Sequence, residues 1–399
     1  MKDLDVKGKR VFVRVDFNVP LSDGRVMDDS KILAALPTLR YLVEADARVI
    51  VASHLGRPKG KIVSSLRMDP VARRLSELLG QKVEKIDSVA GEKVEARVQQ
   101  LTPGSILLLE NVRFDPGEEE NDPAFAASLA RLADIFVNDA FGTVHRAHAS
   151  NTGIAAYMPA VAGMLMEREM SYLNRSKENP ARPLVAILGG RKVADKIGVI
   201  RHFLEQVDSL LLGGAMANTF LKAQGYSVGK SLYEEDKVEV AAELLQEALG
   251  KSAKIVLPED VMVVEDLIAH APFRVVKVSE IPAGWMAVDL GPNTVKRFEA
   301  IIQEAKMVLW NGPLGAYEFP PFNRSTEQIA RALAEAEAET IVGGGDIMAA
   351  LERIGLAHKM THLSTGGGAV LDFWEGKPLP GLEAIDHDPN NRYSTDSSE

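Results

Sequence analysis

The sequence has 399 residues, a formal net charge of -10, 46% hydrophobic and 26% charged residues, and no cysteine. That balance excludes intrinsic disorder, and zero cysteine excludes disulfide frameworks, thiolate metal sites, iron–sulfur clusters and a cysteine nucleophile. The acidic total argues against a general nucleic-acid binder, yet it leaves room for a local cationic pocket. The opening MKDLDVKGKRVFVRVDF has no apolar stretch of the signal-peptide kind, so no signal peptide is expected. No run approaches the roughly 18 apolar residues of a membrane helix, so no membrane association is expected.

Short β-branched runs alternate with longer helical patterns along the chain. Strands are expected at VFVRVDF from Val11, RVIVAS from Arg48, ILLLE from Ile106 and DIFVND from Asp134. More follow at LVAILGG from Leu184, SLLLGG from Ser209, AKIVLP from Ala253, KMVLW from Lys306 and TIVGGG from Thr340. Several are apolar at both parities, as parallel strands buried on both faces require. Ser30 reads as an N-cap before KILAALPTLRYLVE. Asp69-Pro70 and Asp122-Pro123 each place an N-cap before a first-turn proline. Gly80 and Gly250 sit where helices end, and Ser325 with Gln328 resembles a capping box.

This alternation predicts an α/β fold of two domains, with mostly parallel sheets flanked by helices. The division falls in GMLMEREMSYLNRSKENPARP, which starts as a helix and turns polar from Asn174 to Pro183. The domains are expected over 1–170 and 184–369, joined by 171–183. The final DHDPNNRYSTDSSE reads as a loose tail.

In open α/β sheets, ligands bind beyond the carboxyl ends of the strands. In the first half those positions carry Asp16-Phe17-Asn18, His54-Leu55-Gly56-Arg57, Asn111-Val112-Arg113 and the run from Ala140 through Arg146 to His148. Arginine and histidine at several strand ends point to a pocket for an anion with carboxylate and phosphate groups. In the second half the same positions carry Gly189-Gly190, Gly213-Gly214, Gly291-Pro292, Gly312-Pro313, Gly343-Gly344-Gly345 and Gly366-Gly367-Gly368. Glycine before a helix offers free N–H groups to phosphate. Lys192, Asp195 and Lys196 follow the first pair and Asp346 follows a triplet, which suits a nucleotide site with a metal-binding acid. GYSVGKS from Gly225 falls one residue short of a P-loop, and no dinucleotide fingerprint follows a strand. The second absence disfavours a nicotinamide dehydrogenase.

RVDFNVP (Arg14–Pro20), SHLGRPKG (Ser53–Gly60), LLLENVRF (Leu107–Phe114) and NDAFGTVHRAHAS (Asn138–Ser150) resemble phosphoglycerate kinase. So do DKIGVI (Asp195–Ile200), WNGPLGAYE (Trp310–Glu318), VGGGD (Val342–Asp346) and STGGGA (Ser364–Ala369). The resemblance runs from about residue 4 to about residue 385. It implies two Rossmann-like domains facing across a hinged cleft, with a C-terminal segment, about 370–399, returning to the N-terminal domain. It implies transfer of phosphate between 1,3-bisphosphoglycerate and ADP, giving 3-phosphoglycerate and ATP, with Mg2+. It also implies a cytoplasmic monomer.

Carried over residue by residue, the phosphoglycerate pocket is Asp16, Asn18, Lys31, His54, Leu55, Gly56, Arg57, Arg113 and Arg146. The nucleotide set is Lys196, Gly291, Glu318, Gly344, Gly345, Asp346 and Ile347, with Glu318 at the ribose and Asp346 at the metal. The catalytic set is Lys31, Lys192, Gly345 and Gly368. Four positions depart from the family pattern. Lys31 stands for an arginine, Arg191 for an alanine, Asn218 for an aromatic and Ile347 for a serine or threonine. These departures leave a competing expectation: a weakened or non-catalytic relative that senses nucleotide or phosphoglycerate.

Overall fold

The run RVFVRV forms strand β1 (Arg10–Val15), and its alternation sorts side chains onto two faces. Val11, Val13 and Val15 pack with Ile32 and Leu39 of helix α1 (Ser30–Glu44) and with Val71 and Leu75 of α2 (Asp69–Leu79). Phe12 packs on the other face with Val94 and Val98 of α3 (Glu92–Gln99) and Phe125 and Leu129 of α4 (Pro123–Ala130). Each such burial contributes about 1.5–3 kcal/mol. With both faces covered, β1 has no polar parity, which is why its sequence reads as continuous apolar content.

The computed structural model describes residues 1 and 4–386, so the expected tail from residue 387 on lies outside the described residues. The chain divides into two compact units, Met1–Ser171 with the chain from Pro378, and Tyr172–Lys377. The division falls inside one helix, α5 (Met164–Glu178).

In the first unit a short hairpin, β2 (Leu21–Ser22) with β3 (Arg25–Val26), follows β1. The remaining strands are β4 (Arg48–Ala52), β5 (Val83–Lys85), β6 (Ile106–Leu108), β7 (Ile135–Asp139) and β8 (Ala160–Ala162). The parallel sheet runs β5-β6-β4-β1-β7-β8. Its order reverses at β1, so the loops after β1, β4, β6 and β7 meet at a topological switch point.

The second unit repeats the plan. Its parallel strands are β9 (Leu184–Leu188), β10 (Ser209–Leu212) and β11 (Lys254–Val256), then β15 (Met307–Asn311), β16 (Glu339–Gly343) and β17 (His362–Ser364), in the order β11-β10-β9-β15-β16-β17. Between the two groups lie β12 (Asp260–Val264), β13 (Phe273–Lys277) and β14 (Met286–Leu290), an antiparallel sheet that the sequence pattern did not mark. The helices are α6 (Ile197–Gln206), α7 (Gly214–Ala223), α8 (Val238–Leu249), α9 (Pro292–Glu304), α10 (Arg324–Glu335), α11 (Gly345–Arg353) and α12 (Gly368–Trp374). A last helix, α13 (Pro380–Asp386), falls with the first unit.

Every expected strand forms, and the fold is α/β with parallel sheets flanked by helices. Several local expectations need correction. Ser30 is the first residue of α1 rather than its cap, and the boundary is Asp29. Asp69 is likewise helical and bonds Lys85 Nζ at 3.1 Å, whereas Asp122 does cap α4 through the Phe125 N–H. Gly80 and Gly250 do close their helices, Gly80 in the left-handed conformation and Gly250 outside it. Ser325 lies inside α10, and its hydroxyl donates to Asp289 of β14 instead of capping. The polar stretch from Asn174 stays helical as far as Glu178.

Candidate functional sites

In the first unit the switch point gathers the predicted side chains. The turn after β1 is tied to the loop after β4, because Ser53 Oγ accepts the Phe17 N–H at 2.8 Å and Asn18 Oδ1 accepts the Gly56 N–H at 2.8 Å. The loop after β4 is tied to the turn after β6, because Asn111 Oδ1 accepts the Leu55 N–H at 3.2 Å and its Nδ2 donates to the Leu55 carbonyl at 2.7 Å. Arg113 Nη1 donates to the Gly56 carbonyl at 2.9 Å, and its Nε lies 3.2 Å from Glu119. Arg146 Nε donates to His145 Nε2 at 3.1 Å. His54 and Arg113 are buried, Arg146 is half-buried and Arg57 is exposed.

Lys31, in the first turn of α1, donates to Asp16 Oδ2 at 2.8 Å. Burial alone would raise the Asp16 carboxyl, but the charge and hydrogen bond of Lys31, with the Asn18 N–H, hold it down at about 2. Burial pushes the His54 imidazole well below its usual range, with Arg14, Arg113 and Lys31 adding to the effect against the pull of Asp16. His54 is therefore neutral at neutral pH. Behind these groups sits a buried layer of Arg14, Glu118 and Ser150. The sequence offered no sign of this layer, whose members are brought together from distant segments of the chain.

In the second unit a cavity of about 690 Å³ opens at the carboxyl ends of β9, β15, β16 and β17. It is bordered by Gly190, Lys192, Lys196, Gly344, Gly345, Asp346, Ile347 and Gly368, among others. Two helices, α11 and α12, begin at its wall, so first-turn N–H groups lacking helical partners face an anion placed there. Gly344 has φ 118°, and a side-chain carbon there would come within 2.8 Å of Asn311 Nδ2. Only glycine serves at that position. Asp346 is exposed, while Ile347 is fully buried in the core below it.

Lys196 is buried, and its ammonium donates to the Asn311 carbonyl at 3.2 Å and to the Asn311 side-chain oxygen. Burial pulls it down to about 7, against the charges of Asp195 and Asp346. Asn311 Nδ2 in turn donates to the Gly343 carbonyl, linking the lysine to the strand that leads into the glycine loop. Asn311 was visible within WNGP but only as the residue before a glycine. Glu234, which sequence reasoning missed, accepts the N–H groups of Val193 and Ala194 and so fixes the turn carrying Lys192.

Two predicted residues do not border this cavity. Glu318 is exposed elsewhere. Gly291 opens α9 and lies against Asp260, whose carboxyl carbon would be 2.3 Å from an added side-chain carbon. Asn218 is buried away from the cavity, yet it donates to the carbonyl of Leu232, which does line it, at 3.0 Å. Among the described residues no helix is long and apolar enough to cross a membrane.

The family model described as phosphoglycerate kinase matches residues 1–377 of this chain. A phosphoglycerate kinase of Moorella thermoacetica is 55% identical over 385 residues, covering 96% of this chain and 98% of the relative. One from Pelotomaculum thermopropionicum is 56% identical over 385 residues with the same coverage. Among solved structures, the phosphoglycerate kinase from Coxiella burnetii gives a TM-score of 0.88 at 42% identity, covering 96% of this chain and 98% of its own. That from Pyrococcus horikoshii OT3 gives 0.85 at 33% identity with the same coverage.

Proposed function

The chain belongs to the phosphoglycerate kinase family, and we infer from this that it catalyses reversible phosphoryl transfer between 1,3-bisphosphoglycerate and ADP, giving 3-phosphoglycerate and ATP in glycolysis. It is a phosphotransferase whose acceptor is a carboxyl group. We propose that the first unit binds the phosphoglycerate through Asp16, Asn18, Lys31, His54, Leu55, Gly56, Arg57, Arg113 and Arg146. The second unit binds the nucleotide through Lys196, Gly344, Gly345, Asp346 and Ile347, with Gly291 and, at the ribose, Glu318. One observation carries the nucleotide assignment: a buried lysine bonded to an amide, with no carboxylate on it among the described residues, shares a cavity wall with two helix N-termini.

The chemistry follows from charge. The attacking carboxylate of phosphoglycerate is ionised at neutral pH, so no side chain has to remove a proton. The residues instead orient the two reactants and neutralise the phosphoryl oxygens. Lys31 and Lys192 supply ammonium charge. Gly345 and Gly368 supply N–H donors at the first turns of α11 and α12. The exposed Asp346 carboxylate is a hard oxygen donor of the kind magnesium takes alongside substrate phosphates, so it fits as the residue that holds Mg2+ with the nucleotide. Bound there, the ion would shield the charge between phosphate oxygens. A cytoplasmic monomer is the reading we adopt for location and assembly.

The test is a coupled assay with purified protein, 3-phosphoglycerate, MgATP and an enzyme that consumes 1,3-bisphosphoglycerate. Turnover is expected. Normal nucleotide binding without turnover would replace this reading with a sensor.

A further inference from the structure

Arg14 lies in β1, and its guanidinium is wholly buried. Its Nε donates to Ser150 Oγ at 2.7 Å, and that hydroxyl donates to Glu118 Oε1 at 2.7 Å. Nη1 donates to the Val15 carbonyl. Nη2 lies 3.9 Å from Glu118 Oε1 and 3.4 Å from His54 Nδ1. A guanidinium has five donors and no acceptor. It therefore bonds a ring nitrogen only where that nitrogen keeps its lone pair. Asp16 Oδ1, the competing acceptor, is 3.9 Å from the same nitrogen and outside hydrogen-bond reach. A neutral imidazole with bare Nδ1 carries its proton on Nε2.

We propose that Arg14 is a positioning residue that locks His54 in the Nε2–H tautomer, so that His54 meets the phosphoglycerate anion as a fixed, neutral hydrogen-bond donor. This rests on the assignment of the first unit as the phosphoglycerate site. An imidazolium would set an Nδ1–H against Arg14 at 3.4 Å. The charged groups around the ring are Arg14 from β1, Asp16 from the turn after it, Lys31 from α1 and Arg113 from the turn after β6. Three of the four are cations, and Lys31 already occupies Asp16. Ser150 and Glu118 hold the guanidinium from behind, so the ring orientation is set by groups that do not touch the substrate. Charge toward the substrate then comes from Lys31 and the arginines, and direction comes from His54.

The experiment is a long-range proton–nitrogen spectrum of the full nitrogen-15-labelled chain, with His54 assigned by its loss in His54→Gln. A bare Nδ1 and a protonated Nε2 are expected, unchanged across the pH range of about 5 to 8 in which free histidine titrates. A ring that titrates there, or that carries its proton on Nδ1, overturns the proposal. The paired variant Arg14→Gln with Glu118→Gln removes the guanidinium without leaving a buried carboxylate unpaired. It should release the tautomer, and KM for 3-phosphoglycerate should rise about tenfold with kcat within about twofold, the loss of one oriented hydrogen bond. An unaltered ring signature and KM would overturn the role of Arg14. Should that variant not fold, the spectrum of the unaltered protein decides alone. The spectrum is read without turnover, so a failed coupled assay and a failed tautomer assignment remain separate results.

Discussion

In the first unit the groups that face an anion are side chains, and three of the cations are already committed to a partner: Lys31 to Asp16, Arg113 to Glu119 and the Gly56 carbonyl, Arg146 to His145. In the second unit they are mostly backbone N–H groups at helix starts, with one buried lysine bonded to an amide. The difference suits the two ligands. A small three-carbon acid has few atoms, so its recognition needs forked and directional side chains that are held rigid beforehand. A nucleotide phosphate chain is long and uniformly charged, so a row of N–H dipoles with one free cation is sufficient. Asn311 accepts a hydrogen bond from the second unit's lysine without a carboxylate's neutralising charge, so the ammonium is left to meet the ligand.

The largest expected effect comes from removing that cation. Lys196→Gln should lower kcat/KM about 10³-fold, as loss of a preorganised charge at a transferring phosphoryl group does. The pH dependence sharpens the point. With its ammonium pulled down to about 7, free Lys196 loses its proton as pH rises above that value. A bound phosphate favours the protonated form. Affinity for metal-free ADP should therefore weaken as pH climbs from 7 toward 9, and the slope should vanish in Lys196→Gln. Calorimetric titrations over that range check it, and an equal slope in both proteins would remove Lys196 as the cause.

Gly291 tests whether a glycine near a predicted site serves the ligand or the fold. An added methyl would meet the Asp260 carboxylate, which accepts the Asn293 and Thr294 N–H groups at the start of α9. Gly291→Ala should cost about 1–3 kcal/mol of stability, the range for overpacking a well-filled site. Urea unfolding measures this. Stability within experimental error of the parent, with a raised KM for ADP, would leave the residue serving the ligand alone.

Asn311→Asp keeps shape and adds charge, so it probes the amide directly. A carboxylate beside Lys196 would raise the lysine pKa and neutralise it in advance. ADP affinity should fall about tenfold, one charge-assisted contact, and its pH slope should flatten. Tighter ADP binding in this variant would mean that the lysine is held by the amide for structural reasons alone.

Much of this is legible in the sequence. Parallel strands announce themselves because both of their faces are covered, and the strand ends then locate the loops that carry His54, Arg113, Lys196 and Asp346. The antiparallel sheet stayed hidden because β13, FRVVK, sits at an edge with charged and largely exposed residues. Caps are hidden for a related reason. Ser325 looked like a local cap, but its hydroxyl is claimed by Asp289, 36 positions away. The same holds for the groups behind the sites. Arg14 and Ser150 are 136 positions apart, and Lys196 and Asn311 are 115 apart. Residue spacing predicts neighbours within an element, whereas these pairs are made by the stacking of strands.

The smallest expected effect concerns Lys31. A cation in the first turn of a helix is unfavourable by about 0.3–1 kcal/mol, and α1 has no acidic residue in that turn to offset it. Asp16 supplies the compensation from β1's end, at 2.8 Å. An ammonium tied in this way presents a point charge to the substrate. A guanidinium could keep one N–H on Asp16 and turn a planar edge of further donors toward the carboxylate and phosphoryl oxygens. Lys31→Arg should therefore raise kcat about twofold to threefold while the Asp16 contact persists. Steady-state rates decide this, and an unchanged or lower kcat would mean that the side-chain sites of the first unit need charge from Lys31 but not direction.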